Sequence, residues 1–302
     1  MLLGIEIGGT KLQLGVGLGD GKFVVPPEPI LVDRMAGAEG IRREIAKRAS
    51  RLIQLHKVTR IGIGFGGPID AARGRTITSH QIAGWQDFPI VEWCRDVLRL
   101  PCALGNDADL AALAEAKFGA GRGCDPVFYV TVGTGIGGGF VRGGKLYSGF
   151  GPAAAEIGHL RPGLECVNID DTVESLASGL ALERAAATLA DDPIFQGHDR
   201  LTAHELAEAA SQGHEKSQAI LQRAFDALGW SIAQVVTLLA PQIVVVGGGV
   251  AKMTAVPFYD ELRAAIERYV FPPLRGTYDL RPPALGEAMV VHGALALAGD
   301  VI

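Results

Sequence analysis

Leu2-Leu-Gly-Ile-Glu-Ile-Gly-Gly-Thr-Lys-Leu-Gln-Leu-Gly-Val-Gly17 is two short apolar runs folded about Gly8-Gly9-Thr10. Each run has strand length, and the glycines between them are turn residues, so the stretch predicts a β-hairpin. The figure returns later as Val127-Phe-Tyr-Val-Thr-Val132, then Gly133-Thr-Gly-Ile-Gly-Gly-Gly139, then a strand over Gly138 to Val141.

Working outward from the first hairpin, a third strand is expected over Lys22 to Val25 and an amphipathic helix over Gly40 to His56. A strand at Val58 to Phe65 and a helix at Ile90 to Leu98 follow. A strand at Cys102 to Leu104 then leads into an alanine-rich helix from Asp107 to about Phe118. After the second hairpin come a strand at Lys145 to Tyr147 and helices near Thr172 to Leu189, Thr202 to Ala210 and Glu215 to Leu239. The pattern closes with a strand at Ile243 to Val246, a helix at Val256 to Tyr269, a strand at Tyr278 to Arg281 and a helix at Glu287 to Ala298. The repeated plan predicts duplicated α/β lobes, with chemistry at strand ends in the cleft between them. We expect an N-terminal lobe over 1–117, joined by the C-terminal helix at about 287–302, and a larger lobe over 118–286.

Composition narrows the class. Hydrophobic residues make up 48% and charged residues 20% of 302, too much to bury for a disordered chain. Net charge is −5 with no block of like charges, which excludes a nucleic-acid footprint. Four cysteines, none in a CxxC pair, fit reduced thiols and a cytoplasmic setting. No signal peptide is expected, because Glu6 and Lys11 interrupt the first apolar stretch. The uncharged run Ala227 to Ala251 is long enough to raise a membrane span, but Pro241 and Gly247 to Gly249 divide it. A buried helix followed by a buried strand is the expected reading.

Glycine is the compositional outlier, 41 residues against the usual ~7%. Gly62, Gly64 and Gly67, and again Gly133, Gly135 and Gly138, spell GxGxxG, but neither set opens a helix, so a dinucleotide fingerprint is rejected. Gly139 to Lys145 approaches a Walker A loop, yet Leu146 stands where Ser or Thr is required. His204-Glu205-Leu-Ala-Glu208 lacks the second histidine of a zinc protease. What survives is Gly8-Gly9-Thr10-Lys11, the Gly133 to Gly139 hairpin and Gly247-Gly248-Gly249. Backbone N–H groups and threonine hydroxyls in such turns suit polyphosphate, and a bare glycine turn lets adenine lie on backbone. On this reading fourteen glycines, at 8, 9, 62, 64, 66, 67, 133, 135, 137–139 and 247–249, serve the site.

In this order the motifs resemble the ROK sugar kinases nearly end to end. They are Glu6-Ile-Gly-Gly-Thr-Lys11, Gly64-Phe-Gly-Gly-Pro68, Gly84-Trp85, Gly105-Asn-Asp-Ala108, Gly133-Thr-Gly-Ile-Gly-Gly138, Glu156-Ile-Gly-His159, Glu174-Ser-Leu-Ala-Ser178 and Gly247-Gly-Gly-Val250. The resemblance implies two actin/hexokinase-like (ribonuclease H-like) α/β lobes with an interdomain cleft. It implies ATP and Mg²⁺ as cofactors, a hexose substrate with glucose first, and a homodimer or higher homo-oligomer. Asp107 matches the catalytic base, and Gly67, Asn106, Glu156, His159 and Glu174 match the residues that hold the sugar. Glu6, Gly8, Gly9, Thr10, Lys11, Gly133, Thr134, Gly135, Gly137, Gly138, Gly247, Gly248 and Gly249 match the nucleotide-binding positions.

Three departures from the family pattern stand out. Glu6 replaces an aspartate that organises the magnesium shell, and Gln81 replaces an asparagine four residues before Trp85. The third is a zinc segment in which the family joins its Glu-x-Gly-His histidine with three cysteines. Here Glu165-Cys166-Val-Asn-Ile-Asp-Asp-Thr172 supplies one cysteine, too few with His159 for a tetrahedral site. A repressor is not expected, since the first hairpin begins within ten residues of Met1. A sugar-binding sensor that has lost catalysis, and a kinase for an N-acetylated amino sugar or fructose, are the alternatives. Elemental analysis of purified protein is expected to find no stoichiometric zinc.

Overall fold

The computed structural model describes residues 1–300 apart from 80, 152, 199 and 254. In chain order its strands and helices are β1 (Leu2–Ile7), β2 (Lys11–Gly17), β3 (Phe23–Val25), β4 (Ile30–Leu31), α1 (Gly37–His56), β5 (Arg60–Phe65), β6 (Ile69–Asp70), β7 (Arg75–Thr76), α2 (Ile90–Leu98), β8 (Cys102–Asn106) and α3 (Asp107–Phe118). Then come β9 (Val127–Val132), β10 (Ile136–Arg142), β11 (Lys145–Leu146), α4 (Val173–Ala177), α5 (Gly179–Ala187), α6 (Ala203–Ser211), α7 (Glu215–Leu239), β12 (Ile243–Gly247), α8 (Phe258–Tyr269), β13 (Asp279–Arg281) and α9 (Met289–Gly299). Two compact units result. The first holds Met1–Gly123, Gly139–Ala154 and the C-terminal residues from Ala284; the second holds Cys124–Gly138 and Ala155–Pro283. The chain passes between the units within β10, so Gly139 to Arg142 group with the first.

In the first unit the sheet runs β3-β2-β1-β5-β8, with β4 also on β2. β1 is antiparallel to β2 and parallel to β5, and β5 is parallel to β8. Ile7 is opposite Phe65, and Phe65 is opposite Asn106. The residues following three parallel strands therefore emerge along one sheet edge: Gly8, Gly66-Gly67 and Asp107. The second unit repeats the order, β10-β9-β12-β13, with β12 parallel to both β9 and β13. This is the actin/hexokinase-like plan expected above, built once in each unit.

The apolar residues of β1, β2 and β5 meet α1 and α2 in a core that includes Ile5, Ile7, Ile45, Ile63, Phe65, Trp85 and Ile90. Trp85 sits edge-on between Phe65 and Phe88, 5.3 and 5.6 Å away, with the Arg42 guanidinium 4.3 Å from the Phe88 ring. The stretch that raised a membrane question is the end of α7 and β12, divided by Ala240 in a left-handed C-cap. Among the described residues no helix is long and apolar enough to cross a membrane. The helix expected over Thr172 to Leu189 is two, because Ser178 is extended and its Oγ caps α5 by accepting from Ala181 N–H. The β6–β7 hairpin and β4 lie in stretches where no strand was expected.

The largest departure concerns glycine. α9 lies on β1, β5 and α3 with backbone almost touching backbone. A Cβ on Gly62 would overlap the carbonyl oxygen of Ala294, one on Gly4 would stand 2.7 Å from that of Val291, and one on Gly64 would stand 2.5 Å from Val290 Cγ1. On the helix, a Cβ at Gly293 would overlap the carbonyl of Leu110 in α3. Gly62 and Gly64, expected among the site glycines, are helix-packing positions instead. Gly139 likewise faces α3, where a Cβ would stand 2.6 Å from Ala112 Cβ.

Glu115, fully buried on α3, ties the same region together. Its carboxylate accepts from the N–H groups of Ala120, Ala284 and Leu285, at 2.7 to 3.1 Å. A buried carboxylate is tolerated when it is hydrogen-bonded in this way, and here it positions the chain entering α9. Gly62→Ala is expected to lower stability by about 3 kcal/mol, the upper range for overpacking. Gly151→Ala, whose Cβ meets open space, is expected to shift thermal unfolding little, and the two are compared by calorimetry.

Candidate active site

At the sheet edge of the first unit, Gly8 N–H donates to Lys11 O at 2.9 Å and closes the hairpin over Gly9 and Thr10. One step back along β1, Glu6 is 7% exposed. Its Oε1 lies 3.4 Å from Lys11 Nζ, while Oε2 is buried without a hydrogen-bond partner among the described residues. Burial pushes the Glu6 carboxyl up to about 7; Lys11 opposes the rise, and the nearby Asp107 and Glu287 add to it. Lys11 Nζ also contacts Gln13 Oε1 at 3.2 Å, Glu287 O at 3.2 Å and Glu287 Oε2 at 3.3 Å. It faces back into the carboxylates of its own unit.

A buried carboxylate oxygen with no donor is unfavourable unless a cation or its water shell completes it. Glu6 therefore fits a magnesium shell through Oε2, and its extra methylene relative to aspartate does not remove that oxygen from the site.

Asn106 and Asp107 stand where β8 becomes α3. Asn106 is the N-cap: its Oδ1 accepts from Ala108 and Asp109 N–H at 2.9 and 3.3 Å, and its Nδ2 donates to Gly67 O at 3.1 Å. The cap is thus supplied by Asn106, and Asp107 begins the helix itself. Asp107 Oδ1 accepts from Ala108 N–H at 2.9 Å, and Oδ2 lies against Gly66, 3.3 Å from the position of a Cβ there. The positive end of α3 favours its ionised form. Asn106 fixes Gly67, so Gly67, Asn106 and Asp107 form one hydrogen-bonded group.

In the second unit the glycine turn is shorter than expected. β10 begins at Ile136, so the turn proper is Gly133 to Gly135, and Gly137 and Gly138 lie in the strand. A Cβ on Gly138 would stand 2.5 Å from Ala155 O. The turn is held from behind: Gly179 N–H at the start of α5 donates to Gly133 O at 2.7 Å, and Glu174 Oε2 accepts from Ile136 N–H at 2.7 Å. Glu174 is set on α4 by a capping box between Thr172 and Ser175. Gly248, after β12, has φ of 98° and no room for a Cβ against Val132 O, so the Gly247 to Gly249 turn lies beside the Gly133 turn. Both requirements select glycine.

Glu156 and His159 bracket a 3₁₀ turn whose Ile157 is buried. More than a third of Glu156 is accessible, yet its surroundings remove enough water to raise the carboxyl above the ordinary range. His159 opposes that shift and Glu174 adds to it. Glu156 is therefore an electrostatic neighbour of both His159 and Glu174. Sequence reasoning missed Glu287. Glu287 meets Lys11 from 276 residues away, a distance that leaves no local signal. Among the described residues no group of three His, Cys, Asp or Glu is arranged to hold a metal ion.

The sequence profile of the ROK family matches residues 2–301. A glucokinase of Thermotoga maritima is 30% identical over 100% of this chain and 98% of its own length. An N-acetylmannosamine kinase of Shigella flexneri is 34% identical over 82% of this chain and 83% of its own. Among solved structures, a ROK family glucokinase from Streptomyces griseus in complex with glucose and AMPPNP has a TM-score of 0.81 at 29% identity, covering 99% of each chain.

The Glu6 carboxyl has a testable consequence for stability. The folded chain keeps its proton to about pH 7, whereas an unfolded glutamate loses it near 4.5. Stability held below 4.5 is therefore lost as pH rises through 7. In EDTA, Glu6→Gln is expected to gain on the wild-type chain between pH 5 and pH 8 by up to about 3 kcal/mol, read by chemical denaturation at both pH values.

Proposed function

Because this chain belongs to the ROK family, we propose that it transfers the γ-phosphoryl group of ATP to the primary hydroxyl of a hexose, with glucose the first substrate. One observation carries the reading. At the start of α3, Asn106 caps the helix and holds Gly67, while Asp107 begins the helix with Oδ2 against Gly66, on the sheet edge where the Gly8 turn also emerges. The Streptomyces griseus relative, solved with glucose and AMPPNP, supports both ligand classes.

In this reaction the Asp107 carboxylate takes the hydroxyl proton as the sugar oxygen forms its bond to the γ-phosphorus. The bond from phosphorus to the β,γ-bridging oxygen breaks, and ADP leaves. The transition state is loose, so alignment and charge neutralisation matter more than a strong base. Asn106 keeps one Nδ2 proton for a sugar hydroxyl after donating the other to Gly67. Glu156, His159 and Glu174 supply further hydroxyl partners, and each one left unpaired with a wrong sugar is costly. The backbone N–H groups of Gly8 to Thr10 and Gly133 to Gly135 bind phosphate oxygens, while Gly247 to Gly249 accept the adenine face. Glu6 would hold magnesium, which would supply neutralisation of phosphate charge when bound. The same reading makes the protein a cytoplasmic homodimer or higher oligomer.

Asp107→Asn is expected to lower kcat by 10²- to 10⁴-fold, the range for removal of a general base, with glucose affinity by calorimetry within a few-fold. Near-normal turnover in that variant would remove Asp107 from its role. Coupled detection of ADP release with glucose, mannose, fructose and N-acetylmannosamine identifies the substrate. Sugar binding with no ADP release across the panel would favour a sensor.

A further inference from the structure

The Gly8 to Lys11 hairpin, on the reading just given, faces phosphate, and a phosphate site gains from a cation as well as from backbone donors. Lys11 does not supply one freely. An ammonium has three protons, and Lys11 Nζ is within 3.2 to 3.4 Å of four oxygens on Glu6, Gln13 and Glu287.

Arg34 does. β4 pairs with β2, setting Leu31 opposite Lys11, and Val32 N–H donates to Thr10 O at 3.0 Å. These bonds draw residues 32–34 alongside the hairpin. Asp33 caps the 3₁₀ turn that begins at Arg34 by accepting from Met35 N–H. Arg34 Nε then donates to Gly9 O at 3.2 Å. From the other side the Gln81 side chain occupies the space that a Cβ on Gly9 would need. The loop bearing Gln81 is itself tied to α1 by Ala38 N–H, which donates to Ala83 O at 2.9 Å.

Among the described residues no carboxylate pairs with Arg34, and its terminal nitrogens have no acceptor. The guanidinium is therefore oriented by one bond to the hairpin and keeps its two outer nitrogens for an anion. Part of the entropy of ordering it is already lost before the ligand arrives. An exposed arginine resting on a carbonyl carries no function by itself. An unpaired one anchored to the backbone of a phosphate hairpin, where the neighbouring lysine is neutralised, matches the planar donor pattern that phosphate takes. We infer that Arg34 is a phosphate ligand of this hairpin and contacts the terminal phosphates of a bound nucleoside triphosphate. The inference rests on the kinase reading only in taking the hairpin as a phosphate site.

The test measures binding of MgATP and of AMP, without sugar, to the wild-type chain, Arg34→Gln and Arg34→Lys by calorimetry. Arg34→Gln is expected to weaken MgATP by about ten- to hundred-fold, the range for loss of a charged hydrogen-bonding partner. AMP affinity should stay within about two-fold, and Arg34→Lys, which keeps charge but not the fork, should fall between. Glucose binding measured on the same variants reports whether the site still folds. Unchanged MgATP affinity in Arg34→Gln overturns the assignment. Equal losses for MgATP and AMP also overturn it, since they mark a structural role. If the wild-type chain binds MgATP and the variant does not, yet no hexose is phosphorylated, the kinase reading fails and the Arg34 assignment stands.

Discussion

The packing of α9 against β1, β5 and α3 is the constraint on which the first unit depends. Gly62 and Gly293 let backbone meet backbone, and no side chain larger than hydrogen fits at either position. Dispersion between closely packed main chains is weak per atom pair but summed over many, and a small gap forfeits much of it. Because α3 packs on α9 and its own Glu115 binds the chain that enters α9, the helix start that carries Asn106 and Asp107 has a defined position. The C-terminal helix thus determines where a residue near position 107 stands.

The candidate site follows a second rule, which is that its buried charges are paired with functional geometry in mind. Glu174 is half-buried and accepts from Ile136 N–H at the end of the Gly133 turn, so one carboxylate ties α4 to that turn. Glu6 has one oxygen paired to Lys11 and the other buried without a hydrogen-bond partner among the described residues. A buried carboxylate oxygen of this kind calls for a cation or its water shell to complete it. Lys11, by contrast, is saturated by its own unit, and Arg34 is the neighbouring cation with donors to spare.

Most of the fold was legible before any coordinates. The hairpin at Gly8 to Lys11, the long helix at Glu215 to Leu239 and the split at Pro241 are local events, set by glycine turns and by the spacing of apolar residues. Their boundaries hold within a few residues because the signals sit in the same few residues as the elements. The division at Ser178 was not legible, since an alanine-rich run reads as continuous helix until a serine side chain caps a new start. The short β6–β7 hairpin was missed for the opposite reason, having too few residues to show a period.

The site divides in the same way. By itself the sequence determined which residue types are available, in what order, and that they match the ROK pattern, because motifs such as Gly105-Asn-Asp-Ala108 are contiguous. Only the tertiary structure decided what each one does with its hydrogen bonds. It separated glycines that open a turn from those that admit a helix, showed that Asn106 and not Asp107 caps α3, and joined Lys11 to Glu287. These are long-range contacts, and the physical reason they escape a linear reading is that packing distance and donor saturation depend on neighbours the chain supplies from far away.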